Sequence, residues 1–136
     1  MSFCVLDSSL ALSWALPAES DVGMNVLEDI LAGGALVPVL WPLEVANVLL
    51  MAERRRRISL AERSQALAWF AVLPIEIDHE TPQRAWADIS ALAERHRLTV
   101  YDAAYLELAA RHGLPLATLD QELSVAGRAA GLVVLI

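Results

Sequence analysis

The sequence predicts an α/β fold: a mainly parallel sheet with helices on both faces. Three observations predict it. Short apolar runs such as FCVL and LPLATL alternate with segments that carry helical apolar spacing or helix-capping signals, as in parallel sheets linked by helical crossovers. Asp7 closes the first of those runs and Asp120 follows the second, at the carboxyl ends of strands where open parallel sheets place their sites. Glu44 and Asp102 fall near the starts of predicted helices, which in such a fold begin at that same edge.

The elements follow in order. Residues 3–6 read as a short buried strand. Ser8 or Ser9 caps a helix that Pro17 stops. Val22, Val26, Leu27, Ile30 and Leu31 give residues 21–31 a helical stripe, ended by Gly33 and Gly34. Residues 36–39 form a second strand. Pro42 suits the first turn of a helix that reaches the arginines at 54–57. Ser59 and Glu62 are spaced as a capping box, opening a helix to about residue 72. Pro74 introduces a strand at 75–77, and Pro82 opens a helix to about residue 96. A helix at 99–112 is closed by Gly113; a strand at 116–119, a helix at 121–130 and a strand at 132–136 complete the chain.

Composition bounds the reading. A chain of 136 residues is expected to form one domain, residues 1–136, that buries roughly two-thirds of its unfolded surface. Hydrophobic residues make up 57% and the mean hydropathy is +0.48. No apolar run approaches the ~18 residues of a membrane helix, so the apolar excess is expected to pack against another protein. No basic stretch precedes Phe3 and Asp7 interrupts the first apolar run, so no secretory leader is expected. Cys4 is the single cysteine and reads as a buried small hydrophobe; the expected compartment is the cytoplasm.

Net charge is −7, which argues against simple adhesion to nucleic acid. All ten basic residues are arginine, and Arg54, Arg55, Arg56 and Arg57 are consecutive. The absence of lysine excludes a Walker A loop. It also weighs against receiver domains and haloacid-dehalogenase-like phosphotransferases, which share the acidic layout but depend on a lysine.

Asp7, Glu44, Asp102 and Asp120 are therefore the candidate site. Each alone has a plainer reading. Asp7 and Asp120 can cap helices, Glu44 can serve the helix dipole, and Thr99 with Asp102 can form a modified capping box. Together, carboxylates converging in one crevice raise one another's pKa unless a cation is present. Mg²⁺ or Mn²⁺ suits an all-oxygen donor set. Ser9, Asn47 and Thr118 lie two or three residues from an acid and are candidates to orient carboxylates or water.

Three segments carry a resemblance: VLDSSLALSWALPAES, PLEVANVLLMAERRRRIS and LTVYDAAYLELAARHGLPLATLDQEL. They resemble the successive signature blocks of PIN-domain ribonucleases, closest to the VapC-type toxins of bacterial toxin–antitoxin pairs. The Asp-x-Ser start with its following Trp, the Glu-x-x-Asn block, the Tyr-Asp-Ala-x-Tyr block and the Thr-x-Asp block occur in the family's order. The resemblance spans residues 3–136 and is weakest at 21–39 and 67–95. It implies a three-layer α/β/α sandwich, an acidic site at Asp7, Glu44, Asp102 and Asp120, supporting polar groups at Ser9, Asn47 and Thr118, and an outer acid at Glu122. It also implies a VapB-type antitoxin whose basic side chain reaches the crevice.

Phosphodiester hydrolysis is the chemistry such a site supports. Asp7, Asp102 and Asp120 are expected to hold the metal, and Glu44 to orient or deprotonate the attacking water. Residues 54–57 have two readings, a solvated helix end and a phosphate contact that guides RNA. Trp14, Trp41, Trp69 and Trp86 are expected in the core or at an interface, with Trp14 packing beside the site. His79, His96 and His112 fall outside the motifs, at the surface or at helix ends. The leading expectation is a metal-dependent endoribonuclease toxin acting on RNA as a homodimer, inhibited by an antitoxin that lies in an apolar groove near Trp14 and the helix at 41–50. The alternatives are a PIN nuclease that works without an antitoxin and a catalytically silent PIN-like binding module.

Overall fold

The computed structural model describes residues 2–17 and 22–136. Its strands are β1 (Cys4–Leu6), β2 (Ala35–Pro38), β3 (Ile75–Asp78), β4 (Leu116–Ala117) and β5 (Val134–Leu135). They form one five-stranded sheet in the order β3-β2-β1-β4-β5. Every neighbouring pair is parallel; the sheet is wholly rather than mainly parallel, because a helical crossover joins each strand to the next.

The helices are α1 (Ser8–Ser13), α2 (Met24–Gly33), α3 (Trp41–Arg54), α4 (Leu60–Val72), α5 (Thr81–Arg84), α6 (Ser90–His96), α7 (Val100–His112) and α8 (Gln121–Ala129), with a π-helical turn, Ala85–Ile89, between α5 and α6. The chain steps from β1 to β2 to β3 in one direction, then returns past β1 to β4 and β5. Right-handed crossovers place α1 to α4 on one face and α5 to α8 on the other. The packing agrees: α3 lies against α1 and α4, and α7 against α6 and α8. This is the expected α/β/α sandwich.

Strand β1 lies at the centre and is fully buried, which explains its uninterrupted apolar sequence. Burial pushes the Cys4 thiol up to about 12, so little thiolate forms at neutral pH and the group packs rather than reacts. Trp14, Trp41 and Trp69 belong to or pack on the main core. Trp14 stands edge-on to Trp69 with ring centroids 6.3 Å apart and donates from Nε1 to the Val22 carbonyl at 2.9 Å. Trp86 is not a core residue: it is 97% exposed.

Local differences from the sequence expectations have identifiable causes. Helix α1 ends at Ser13, whose hydroxyl donates to the Leu10 carbonyl at 2.6 Å and competes with the helical ladder. Helix α2 begins at Met24 and runs to Gly33, with Gly34 at φ 80° turning the chain into β2; the expected start at Asp21 lies outside the described residues. The helix expected at 82–96 carries the π turn, across which Ser90 Oγ donates to the Ala85 carbonyl at 2.6 Å. The Ser59–Glu62 capping box forms with both of its bonds. Among the described residues, no helix is long and apolar enough to cross a membrane.

Candidate active site

The strand order reverses between β1 and β4. In an open parallel sheet, that is where the carboxyl ends of two strands and the helices after them leave a crevice. Asp7 follows β1, and its amide donates to the Ala117 carbonyl of β4 at 2.9 Å. That bond brings Asp7 beside Thr118, 111 residues later in the chain.

Asp7 is only 4% exposed. Its Oδ2 accepts from Ser9 Oγ at 2.6 Å and from Thr118 Oγ1 at 2.7 Å. Each hydroxyl is positioned by a backbone donor: Leu119 N–H donates to Ser9 Oγ at 3.0 Å and Asp120 N–H to Thr118 Oγ1 at 2.9 Å. Both hydroxyl protons are thereby committed to Asp7. The Asp7 pKa is nevertheless raised, by burial first and also by the charge of Asp120. Hydrogen bonds to a carboxylate contribute about 1.5–3 kcal/mol each; here two of them do not offset the loss of water.

Glu44 stands in the first turn of α3 and is half-buried. Its Oε1 accepts from the Tyr105 hydroxyl of α7 and more weakly from Ser8 Oγ at 3.4 Å. Burial raises its pKa, and the charges of Asp7 and Asp102 add to this against the Tyr105 bond. Asp102 is half-buried in the first turn of α7. Thr99 caps that helix, accepting from the Asp102 amide at 3.1 Å. Burial, with the charges of Asp120 and Asp7, pushes Asp102 up to about 6. Asp120 caps α8, its Oδ1 accepting from Leu123 N–H at 2.9 Å.

A common pattern results. Asp7, Glu44 and Asp120 each have one carboxylate oxygen tied to the protein and a second without a side-chain partner among the described residues. Charge coupling joins Asp7 to Asp120, Asp102 and Glu44. Such oriented oxygens fit a divalent cation of the hard class, which takes oxygen donors. Among the described residues, however, no three His, Cys, Asp or Glu side chains stand in an arrangement that closes directly around a metal. The fit is therefore to an ion that retains water and binds through one or two carboxylates, as Mg²⁺ does.

The remaining candidates fall less uniformly. Glu122 is exposed in the first turn of α8, and its charge reaches Asp102. Asn47 is exposed on α3, and no side-chain hydrogen bond draws it to the acids. The arginine run ends α3 with all four side chains exposed. Glu44 and Arg54 lie in the same helix, separated by about 15 Å of axial rise. His79 and His112 are exposed, and His96 is in the last turn of α6. Sequence reasoning missed Tyr105, fully buried and bonded to Glu44; the expected pairing of Thr99 with Asp102 takes the form of a cap, Thr99 Oγ1 accepting from the Asp102 amide. The signal for Tyr105 was its place one helical turn after Asp102 in the same block.

Stability should report the charge conflict. A carboxylate whose folded pKa is raised contributes stability fully present below its unfolded value and lost as pH rises through the folded value. Asp7, Glu44 and Asp102 are all raised. In chelator, the thermal midpoint is expected to fall between about pH 4, the ordinary carboxylate value, and just above the value of about 6 for Asp102. The Asp102 share is on the order of 1 kcal/mol, or a few degrees, after allowing for solvent screening of a half-exposed group. Asp102→Asn should flatten that slope in melts at pH 5 and 8. An unchanged slope would remove Asp102 from the coupled set.

A family model described as PIN domain matches residues 4–129. No curated protein matches significantly. Among solved structures, PAE2754 from Pyrobaculum aerophilum is similar at a TM-score of 0.71 and 21% identity, over 98% of this chain and 89% of that one. VapC20 of Mycobacterium tuberculosis, a toxin that cleaves the sarcin-ricin loop, is similar at a TM-score of 0.64 and 14% identity, over 91% of this chain and 95% of that one. These likenesses extend the agreement in fold. PIN domains are in general metal-dependent nucleases. A family match over nearly the whole chain, on a sheet whose strand order sets Asp7 and Asp120 on either side of its switch point, makes this protein a member of the PIN-domain family.

Proposed function

We propose that this chain, as a single domain over residues 1–136, is a Mg²⁺- or Mn²⁺-dependent endoribonuclease and the toxin of a VapBC-type toxin–antitoxin pair. The observation that carries the nuclease reading is the oriented acidic set: a buried Asp7 held by two hydroxyls, with Glu44, Asp102 and Asp120 coupled to it. When bound, a divalent cation supplies charge stabilisation at the scissile phosphate and lowers the pKa of water. Asp7 and Asp120 would hold it directly or through its bound water, with Asp102 sharing that role, and Ser9 and Thr118 fix the orientation of Asp7. Glu44 orients the attacking water and accepts its proton; a raised pKa suits a base that works near neutral pH. Tyr105 and Ser8 restrain one oxygen of Glu44 and leave the other for that proton. Asn47 and Glu122 serve as outer polar groups, and residues 54–57 contact RNA phosphates.

The toxin reading draws on the resemblance to VapC-type sequences and on the likeness to VapC20. It is supported by an apolar cleft between α3 and α4 of about 170 Å³, lined by Trp41, Pro42, Val45, Leu67, Phe70 and Ala71. On this reading a VapB-type antitoxin segment lies there, beside the aromatic series Trp41, Phe70, Trp69 and Trp14, and sends a basic side chain towards the acids. An arginine pairs with carboxylates in bidentate fashion and competes with the metal. The same apolar excess favours a homodimer. Expression of the chain alone is expected to arrest bacterial growth and yield new RNA 5′ ends at a recurring site. Co-expression of the adjacent small open reading frame should restore growth. Arrest and cleavage without rescue by any genomic neighbour would leave a nuclease and remove the antitoxin; a monomer in light scattering at micromolar concentration would remove the dimer.

A further inference from the structure

The backbone adopts a left-handed conformation at six described positions. Four are glycines; the other two, Arg56 at φ 59° and Arg97 at φ 56°, are arginines. A side chain at such a position costs conformational energy that glycine avoids. Both arginines close helices by the same device. Arg56 N–H donates to the Glu53 carbonyl and Arg57 N–H to Ala52, while Arg97 N–H and Leu98 N–H both donate to Ala93. Glycine is the usual residue in this closure. Nothing in the backbone bonding calls for arginine, and both side chains are exposed without a hydrogen bond or ion pair to a described side chain. An unfavourable local choice that the fold does not need points to a use for the side chain.

The two differ in where they stand. Arg56 is at the far end of α3 from Glu44. Arg97 is two residues before Thr99, at most about 7 Å of chain, and Thr99 caps the helix whose first turn carries Asp102. Leu98 packs on the Ile89, Ala93, Ala103 and Ala104 cluster, and Arg97, exposed at the end of α6, stands five residues before Asp102. Arg95, in the last turn of α6, is also exposed, as is Glu94. RNA entering this crevice brings phosphates on both sides of the scissile bond towards four carboxylates. A cation at the rim offsets that repulsion for a phosphate beyond reach of the metal.

We propose that Arg97 is a sequence-independent phosphate contact at the rim of the acidic crevice, holding the RNA backbone beside the scissile bond. This rests on the nuclease reading above. The test uses the full chain carrying Asp7→Asn, so that RNA is bound but not cut, with and without Arg97→Gly or Arg97→Lys. The probe is a short fluorescein-labelled single-stranded RNA of mixed sequence, titrated across a range of salt in Mg²⁺. For one lost phosphate contact on a single strand, Arg97→Gly should weaken binding several-fold and reduce the slope of log affinity against log salt by about 0.7. Arg97→Lys should keep that slope, and the thermal midpoint of Arg97→Gly should equal or exceed that of its parent.

An unchanged salt slope in Arg97→Gly overturns the proposal. If the thermal midpoint falls as well, the side chain is serving the helix end instead. Failure of the parent to bind the probe overturns it too. Cleavage of total RNA by the wild-type chain in Mg²⁺ then separates the two levels. If cleavage persists, only Arg97 is misassigned; if there is none, the nuclease reading falls with it.

Discussion

Asp7→Asn is expected to leave a folded protein whose RNA cleavage has fallen on the order of a hundredfold or more, the scale at which metal ligands and their oriented supports act. The substitution preserves volume. The Asn carbonyl oxygen can accept the same bonds from Ser9 and Thr118 that Oδ2 accepts now. The amide nitrogen then occupies the other position, where it offers protons instead of a negative charge and cannot hold a cation. Stability should move the opposite way. Burial already raises the Asp7 pKa, so its ionised form opposes folding at neutral pH, and a neutral isostere removes that cost. The expected signature is lost cleavage with an equal or higher thermal midpoint in chelator, together with relief of growth arrest. Full cleavage by the folded variant would refute the role given to Asp7, and an unfolded variant would make Asp7 structural instead.

Chelation should have an effect of similar size on the wild-type chain. EDTA is expected to abolish cleavage, and Mg²⁺ or Mn²⁺ in excess to restore it, because the proposed acids carry no positive charge of their own to stabilise the scissile phosphate, and Arg97 is assigned to a neighbouring one. The same ions should raise the thermal midpoint, since a ligand at a hundred times its Kd stabilises the folded state by about 2.7 kcal/mol. That rise should be largest near neutral pH, where the carboxylates compete least with protons, and should shrink in Asp7→Asn. Cleavage that persists in EDTA would exclude the metal-dependent mechanism. A metal-induced rise identical in wild type and Asp7→Asn would place the ion elsewhere.

Much of the architecture was legible because it rests on local physics. Apolar runs of strand length alternate with capped helical segments, and this alternation alone implies parallel strands joined by crossovers. Ser59 with Glu62 and Gly113 at φ 63° marked helix ends through bonds made within a few residues. Strand lengths were less legible. The run at 116–119 pairs only over Leu116–Ala117, because Thr118 and Leu119 already turn towards the crevice to serve Asp7 and Ser9. The π turn at Ala85–Ile89 has no periodic signature, since it adds a single residue to an otherwise helical pattern.

The acids, too, were visible as residues at the ends of predicted elements, and family motifs ordered them. Their present partners were visible only in part: Ser9 and Thr118, candidates to orient carboxylates, both bond Asp7, but the partner of Glu44 was not. Asn47 had the helical spacing to join Glu44, yet it faces solvent, while Tyr105, 61 residues from Glu44, supplies the hydrogen bond instead. Asp120 caps α8 while its charge also acts on Asp7 and Asp102, so the plainer reading does not displace the proposed one.

By itself, the sequence determined the α/β class, the caps at Ser59 and Thr99, the burial of the first strand and which acids fall at element ends, because each depends on neighbours a few residues away; the expected cap of the first helix at Ser8 or Ser9 falls instead on Asp7. Only the tertiary structure decided that β1 lies next to β4, that one oxygen of Asp7 takes both hydroxyl protons, that Tyr105 restrains Glu44, and that Arg56 and Arg97 hold left-handed backbone. Helical and strand periods fix which face a side chain occupies. What opposes that face is set by the order in which distant strands pair and by where their crossovers return, and that order is a property of the whole chain's packing.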